Sequence, residues 1–169
     1  NYIAATSKSG RAMLHLIDKQ TGKTIWVYPV EQRGSDVAIA PDESFLFYGT
    51  DVGRGSTPSI STIFSITGQP LFDMGNTGQA AAISADSQYI FSKDGQSLSL
   101  YNRYGELLWS EIITAEEGIA SMNHLLWISP DAKQIIVGLN NRPDGRYYGQ
   151  IYFFEGEVVL NDQSLRVVG

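Results

Sequence analysis

Cysteine is absent from all 169 residues. Disulfides, thiolate zinc sites and cysteine nucleophiles are therefore excluded together, while the redox compartment stays open. Histidine is nearly absent. His15 falls within a strand pattern and reads as structural, and His124 has no second histidine near it, so no metal site is expected. Positive charge is scarce: 12 Lys and Arg stand against 18 Asp and Glu, a net charge of -6. Phosphate binding needs a net basic face, so nucleic acid is not expected as a partner. No apolar run approaches the roughly 18 residues of a membrane span. No signal peptide is apparent and the chain begins at Asn1 rather than Met, which reads as a processed form or an excerpt of something longer. Neither a G-x-S-x-G elbow nor a P-loop occurs. The glycine-containing stretches 51–55 and 140–145 lack EF-hand spacing. They read as solvated loops, with a weak calcium site at Asn140, Asn141 and Asp144 as the alternative. The adjacent Glu116 and Glu117 read as the start of a short surface helix over 114–121 rather than as an acid–base pair.

What the chain does have is repetition. An apolar strand ends at Asp18, Thr21-Gly22 turns, and a second strand brings Trp26 inward four residues after the glycine. The same step runs from Gly68 to Phe72, from Gly105 to Trp109 and from Gly156 to Leu160. Each glycine can take the positive φ of a tight hairpin. A second turn recurs as Ile39-Ala40-Pro41-Asp42, Ile83-Ser84-Ala85-Asp86 and Ile128-Ser129-Pro130-Asp131, at intervals of 44 and 45 residues. Aspartate there bonds amides two residues on, and proline presets φ.

Apolar spacing is mostly two, which predicts strands. Residues 1–35 hold three, at 2–6, 12–18 and 23–30. Three further segments, 36–75, 79–113 and 122–162, hold four each, labelled A to D in chain order. The last D strand is placed at 157–160, and the tail 164–168 falls where a further strand A is due. A period near 44 with four short antiparallel strands per repeat predicts an all-β fold of β-propeller blades. A β-sandwich or meander is the alternative. Blades stack because one alone cannot bury both faces. Sixteen strands make four blades if the tail closes against the first three; otherwise the four belong to a larger ring.

In such blades the A–B and C–D turns share one side, and here they are short. The long connections, 51–58, 114–123 and 140–148, all belong to the other side. Loop length on one side of a rigid scaffold marks a binding surface. The residues expected to carry it are Arg54, Asn140, Asn141, Arg142, Asp144, Arg146, Tyr147 and Tyr148, which include types enriched in interface hot spots. In the competing reading, Tyr147 and Tyr148 begin strand C and pack on a neighbouring blade.

The run Asp18-Lys19-Gln20-Thr21-Gly22-Lys23-Thr24-Ile25-Trp26 resembles the D-x-x-T-G-K-x-x-W signature of quinoprotein-type (PQQ-like) propeller repeats. Residues 102–109 (NRYGELLW) are a looser copy. This resemblance implies that Trp26 and Trp109 dock between neighbouring blades, with Phe72 and Leu160 in the corresponding places elsewhere. The turn Ile128-Ser129-Pro130-Asp131-Ala132-Lys133 resembles the S-P-D-G-K repeats of WD40-like propellers in prokaryotic surface and periplasmic proteins. That implies a cell-envelope or extracellular location. The pair GH…WD is not complete anywhere in the chain.

The expectation is a non-catalytic propeller module that binds a protein partner or copies of itself, with no catalytic residues and no cofactor. The alternative is part of a quinoprotein-like dehydrogenase or another propeller enzyme. A quinone would require a cage of cationic and carboxylate side chains with calcium, and no such set is recognisable.

Overall fold

The computed structural model describes residues 1–7, 12–31, 34–50, 60–75, 80–94, 97–113, 125–141, 148–155, 158–159, 162–163 and 166–167. Every element among them is a strand: β1 (Tyr2–Thr6), β2 (Met13–Asp18), β3 (Thr24–Pro29), β4 (Gly34–Ile39), β5 (Phe45–Thr50), β6 (Ser61–Ser65), β7 (Pro70–Asp73), β8 (Ala80–Ile83), β9 (Tyr89–Asp94), β10 (Ser97–Asn102), β11 (Leu107–Ile112), β12 (Leu125–Ile128), β13 (Gln134–Asn141), β14 (Tyr148–Glu155), β15 (Val158–Val159), β16 (Asp162–Gln163) and β17 (Arg166–Val167). The helix expected over 114–121 lies outside the described residues.

The strands form a three-stranded sheet β1-β2-β3 and three four-stranded sheets, β4-β5-β6-β7, β8-β9-β10-β11 and β12-β13-β14-β17. All pairings are antiparallel. The chain divides into two compact units, Asn1–Ala81 and Ala82–Gly169. In the first, β2 alternates, with Leu14 and Leu16 fully buried and His15 and Ile17 on the other side. Leu14 and Leu16 join Leu46, Tyr48 and Phe64 of the second sheet in one core. In the second unit, Phe91, Leu98, Leu100 and Trp109 of the third sheet share a core with Ile135, Val137 and Phe154 of the fourth.

The end of the chain departs from the sequence reading. β17 pairs with β14, setting Phe154 against Val167 and Glu155 against Arg166. The tail is thus the fourth strand of the last sheet, not a partner for β1, and the first sheet keeps three strands. Residues 158–159, placed in the last D strand, pair instead with 162–163 in a separate small hairpin. Closing a short loop costs less chain entropy than closing one that spans the whole sequence, which favours the local partner. The β13–β14 ladder also runs further than expected. Asn140 pairs with Gly149 and Asn141 with Tyr148, so Asn140 and Asn141 stand in a strand and not in the long loop assigned to them, while Tyr148 begins β14, as the competing reading has it.

The recurring aspartate turn is built the same way in its second and third copies, and the first keeps the aspartate with a different hydroxyl partner. Ser84 Oγ donates to Asp86 Oδ1 at 2.6 Å and accepts from Tyr89 N at 2.9 Å, while Gln88 N donates to Asp86 Oδ1 at 3.1 Å. Ser129, Asp131, Gln134 and Lys133 repeat this at 2.7, 2.9 and 3.2 Å. In the first copy alanine replaces the serine at position 40, and Ser44 supplies both the amide and the hydroxyl to Asp42. The hydroxyl of Ser129, then the amide of Lys133, hold the Asp131 carboxyl below its ordinary value of 3.8.

Each turn also places a non-glycine residue in the left-handed region: Glu43 at φ 58°, Ser87 at 60° and Ala132 at 54°. An L side chain there costs about 1–2 kcal/mol, against about 0.5–1 kcal/mol of extra backbone entropy lost by glycine on folding. Ser87 and Ala132 are fully buried, but Glu43 is not. Glu43 also accepts a hydrogen bond from Asn1 Nδ2 at 3.2 Å, so the comparison is made between two variants that both lack that bond: Glu43→Gly is expected to be more stable than Glu43→Ala by about 0.5–1 kcal/mol, read as a higher urea midpoint at unchanged slope.

Candidate interaction site

Strand β3 carries Trp26 onto the second sheet. Its Nε1 donates to the Ile66 carbonyl at 2.8 Å, and its ring stacks on Phe64 with centroids 6.5 Å apart. Tyr28 meets the same phenylalanine edge-on at 4.9 Å. Gly68, at φ 90°, lies under the indole, where an added Cβ would sit 2.9 Å from Trp26 Cδ2. Strand β11 does the same with Trp109, which is 2% exposed and meets Phe154 edge-on at 5.6 Å. Phe64 pairs across the ladder with Leu46, and Phe154 with Ile135. Both receiving phenylalanines thus occupy one place in the repeat. Phe72 is half-buried and pairs with Ile63.

Matching register positions across the four sheets exposes a difference. Ile3, Leu46, Ile90 and Ile135 are equivalent, each pairing with the residue just before the C–D turn: Ile17, Phe64, Tyr101 and Phe154. Leu46, Ile90 and Ile135 are completely buried, but Ile3 is 46% exposed. One step along, on the opposite face, Leu16, Ile63, Leu100 and Phe153 are equivalent. The first three are completely buried and Phe153 is 47% exposed.

Each of these residues belongs to an apolar surface. On the first sheet Ile3 pairs with Ile17, and His15 lies between Ala5 and Val27; Ile25 and Val27 are exposed. On the fourth, Trp127 pairs with Ile136, which pairs with Phe153, and Leu125 pairs with Gly138, which pairs with Ile151. Trp127, Leu125 and Ile151 are exposed. Gly138 leaves room for Leu125, whose Cβ would lie 2.9 Å from a side chain at that position. The polar end of this surface is Gln134, which donates to Glu155 at 3.5 Å. A contiguous apolar patch with a polar rim marks an interaction site.

Of the residues expected on the loop-rich side, Arg54, Arg142, Asp144, Arg146 and Tyr147 lie outside the described residues, as do His124, Glu116 and Glu117. The two apolar faces were not singled out from the sequence. Their signal is the loss of alternation in Leu125-Leu126-Trp127-Ile128 and in Phe153-Phe154, the pattern of a strand covered on both sides. Burial pushes the Tyr48 hydroxyl up to about 12, so it stays neutral in its core. Among the described residues no three acidic or histidine side chains gather as a metal site would require.

The chain superposes on the β-propeller domain of Myceliophteria thermophila Cps50 (Swd1) with a TM-score of 0.65 over 98% of its length, at 13% identity. A chain of the mitotic checkpoint complex gives a TM-score of 0.66 over 93%, at 16% identity. The sheets are β-propeller blades. These neighbours are WD40 β-propellers, and the chain spans about half of each, 54% and 47%. No protein-family model matches the sequence, and no curated protein sequence does. The tryptophan-on-phenylalanine contacts are therefore contacts between successive blades, and the exposed faces are blade faces of the kind that a neighbouring blade covers.

Proposed function

We propose that this chain is a non-catalytic propeller module whose work is to bind protein, and that the two open blade faces are where it does so. The carrying observation is the contrast at Phe153, 47% exposed where Leu16, Ile63 and Leu100 are completely buried. Removing such a face from water gains about 25 cal/mol per Å² of apolar area, and aromatic residues such as Trp127 and Phe153 are the types that anchor interfaces. The second neighbour's place in the mitotic checkpoint complex supports the reading. Within it, the quinoprotein-like run at 18–26 serves as a joint between blades, with Trp26 as its docking residue. The loop residues Arg54, Arg142, Arg146 and Tyr147 would add specificity, and an envelope or extracellular setting follows from the surface-protein likeness of the 128–133 turn.

Hydroxyl-radical labelling tests the proposal. The chain purified in its native assembly is compared with the same chain alone at nanomolar concentration. Trp127 and Phe153 are expected to be oxidised strongly in the free chain and weakly in the assembly, while Trp109 stays unlabelled in both. Equal labelling of Trp127 and Phe153 in the two states would contradict it.

A further inference from the structure

The two open faces are opposite halves of one kind of joint. In the first unit the face of the first sheet carrying Leu14, Leu16 and Trp26 lies on the face of the second carrying Leu46 and Phe64. In the second unit Leu100 and Trp109 lie on Ile135 and Phe154 in the same sense. Each joint thus sets the leading face of one sheet on the trailing face of the next in sequence. The open face of the fourth sheet, with Ile136 and Phe153, is a leading face, because Ile135 and Phe154 are taken by the trailing side. The open face of the first sheet is a trailing face. Its Ile3–Ile17 pair sits where Leu46–Phe64 and Ile135–Phe154 receive a neighbour.

The turn that fixes this equivalence closes through the same two kinds of backbone bond in the first two sheets and is one residue longer in the first. Asp18 N bonds Lys23 O at 2.9 Å and Gly22 N bonds Asp18 O at 2.9 Å; Ser65 N bonds Gln69 O at 2.8 Å and Gly68 N bonds Ser65 O at 3.0 Å. Ile17 and Phe64 are the residues immediately before.

We infer that the occupant of each open face is a second copy of this chain, joined head to tail: Trp127 and Phe153 of one copy on Ile3, Ile17 and Val27 of the other. The inference rests on the binding role proposed above and names its partner. Three observations select a copy over an unrelated protein. The leading and trailing faces left open are complementary in kind, repeating a joint the chain already forms twice. Both are apolar at their centres, with His15 the one titratable side chain between Ile3 and Val27, so neither calls for a charged partner. And the chain spans 54% and 47% of two propeller chains it matches, so two copies supply a comparable number of blades. Head-to-tail joints between copies make a ring where their rotation closes, and two copies that each span about half of the matched propeller chains set the count at two.

Sedimentation of the purified chain at micromolar concentration is expected to give a dimer. Trp127→Asp and Val27→Asp should each raise the dimer dissociation constant roughly a hundredfold, as loss of a central contact does, since every homodimer joint then contains one altered face. An equimolar mixture of the two variants should regain a heterodimer, because one of its two joints is wild type on both sides. Circular dichroism like that of the parent and a cooperative melt confirm that the variants fold, at a lower melting temperature because they lack the stabilisation that association supplies; Ile151→Lys replaces Trp127→Asp if that variant does not fold. A monomeric parent, an open-ended oligomer, a dimer sensitive at only one face, or no recovery on mixing folded variants would each overturn the head-to-tail dimer. If Trp127 is protected in the native assembly while the pure chain is monomeric, the binding role stands and the partner is another protein.

Discussion

Trp109→Ala is expected to lower stability by about 3–5 kcal/mol, the range for deleting a large aromatic side chain from a packed core. Trp109 is 2% exposed and is surrounded by Leu98, Leu100 and Phe91 on its own sheet and by Phe154 on the next. These neighbours are anchored in ladders whose register is fixed from both sides, so they cannot collapse into the space the indole leaves. Trp109→Phe should cost less, about 1–2 kcal/mol, because an aromatic edge remains to meet Phe154. Urea denaturation followed by circular dichroism gives both values, provided the slope is unchanged. Amide exchange adds a location: protection should fall in strands β8–β14 of the altered chain first. A loss below about 1 kcal/mol for the alanine variant would mean that the ring does not fill the joint as described.

Gly68→Ala comes next, at an expected cost of about 2–5 kcal/mol. Two effects add. At φ 90° an L side chain is strained, by about 1–2 kcal/mol. The new methyl would also stand 2.9 Å from Trp26 Cδ2 and 3.0 Å from Cγ, and an indole held by its bond to the Ile66 carbonyl has little room to retreat. Overpacking of this kind costs about 1–3 kcal/mol. Gly22 provides the control. It has φ 68° and nothing within 4 Å of an added Cβ, so Gly22→Ala carries the strain without the clash. The difference between the two variants is the contact of Gly68 with the ring plus the extra strain of φ 90° over φ 68°, and equal losses would show that contact to be unimportant.

The same glycine shows what could be read from the sequence and what could not. Asp18-x-x-Thr21-Gly22 announces itself because its chemistry is local: Thr21 donates both its amide and its hydroxyl to Asp18 Oδ1, at 2.6 and 2.7 Å. The three aspartate turns are legible for the same reason, and with them the period, the strands and the blade fold. That Glu43, Ser87 and Ala132 would hold left-handed backbone was not legible, because glycine is the usual residue there and none of the three has it. The partner of the tail was not legible either. A segment as short as Arg166-Val167 fits several sheet edges equally, and only its pairing with Glu155 and Phe154 selects one. The open faces escaped for a different reason. Strand composition reports that a face is apolar, not whether anything covers it, so Phe153 looks like Leu100 until their exposures are compared.

In each unit two successive blades meet through a tryptophan laid over the next sheet. Proton NMR on the diluted chain addresses this directly, through cross-relaxation between Trp26 and Gly68 and between Trp109 and Phe154. Strong cross-peaks are expected from the Trp26 indole to the Gly68 Hα protons, which should be shifted upfield by the ring, and from the Trp109 indole to the Phe154 ring. Gly68 protons at unshifted positions with no indole cross-peak, together with no contact between Trp109 and Phe154, would contradict it.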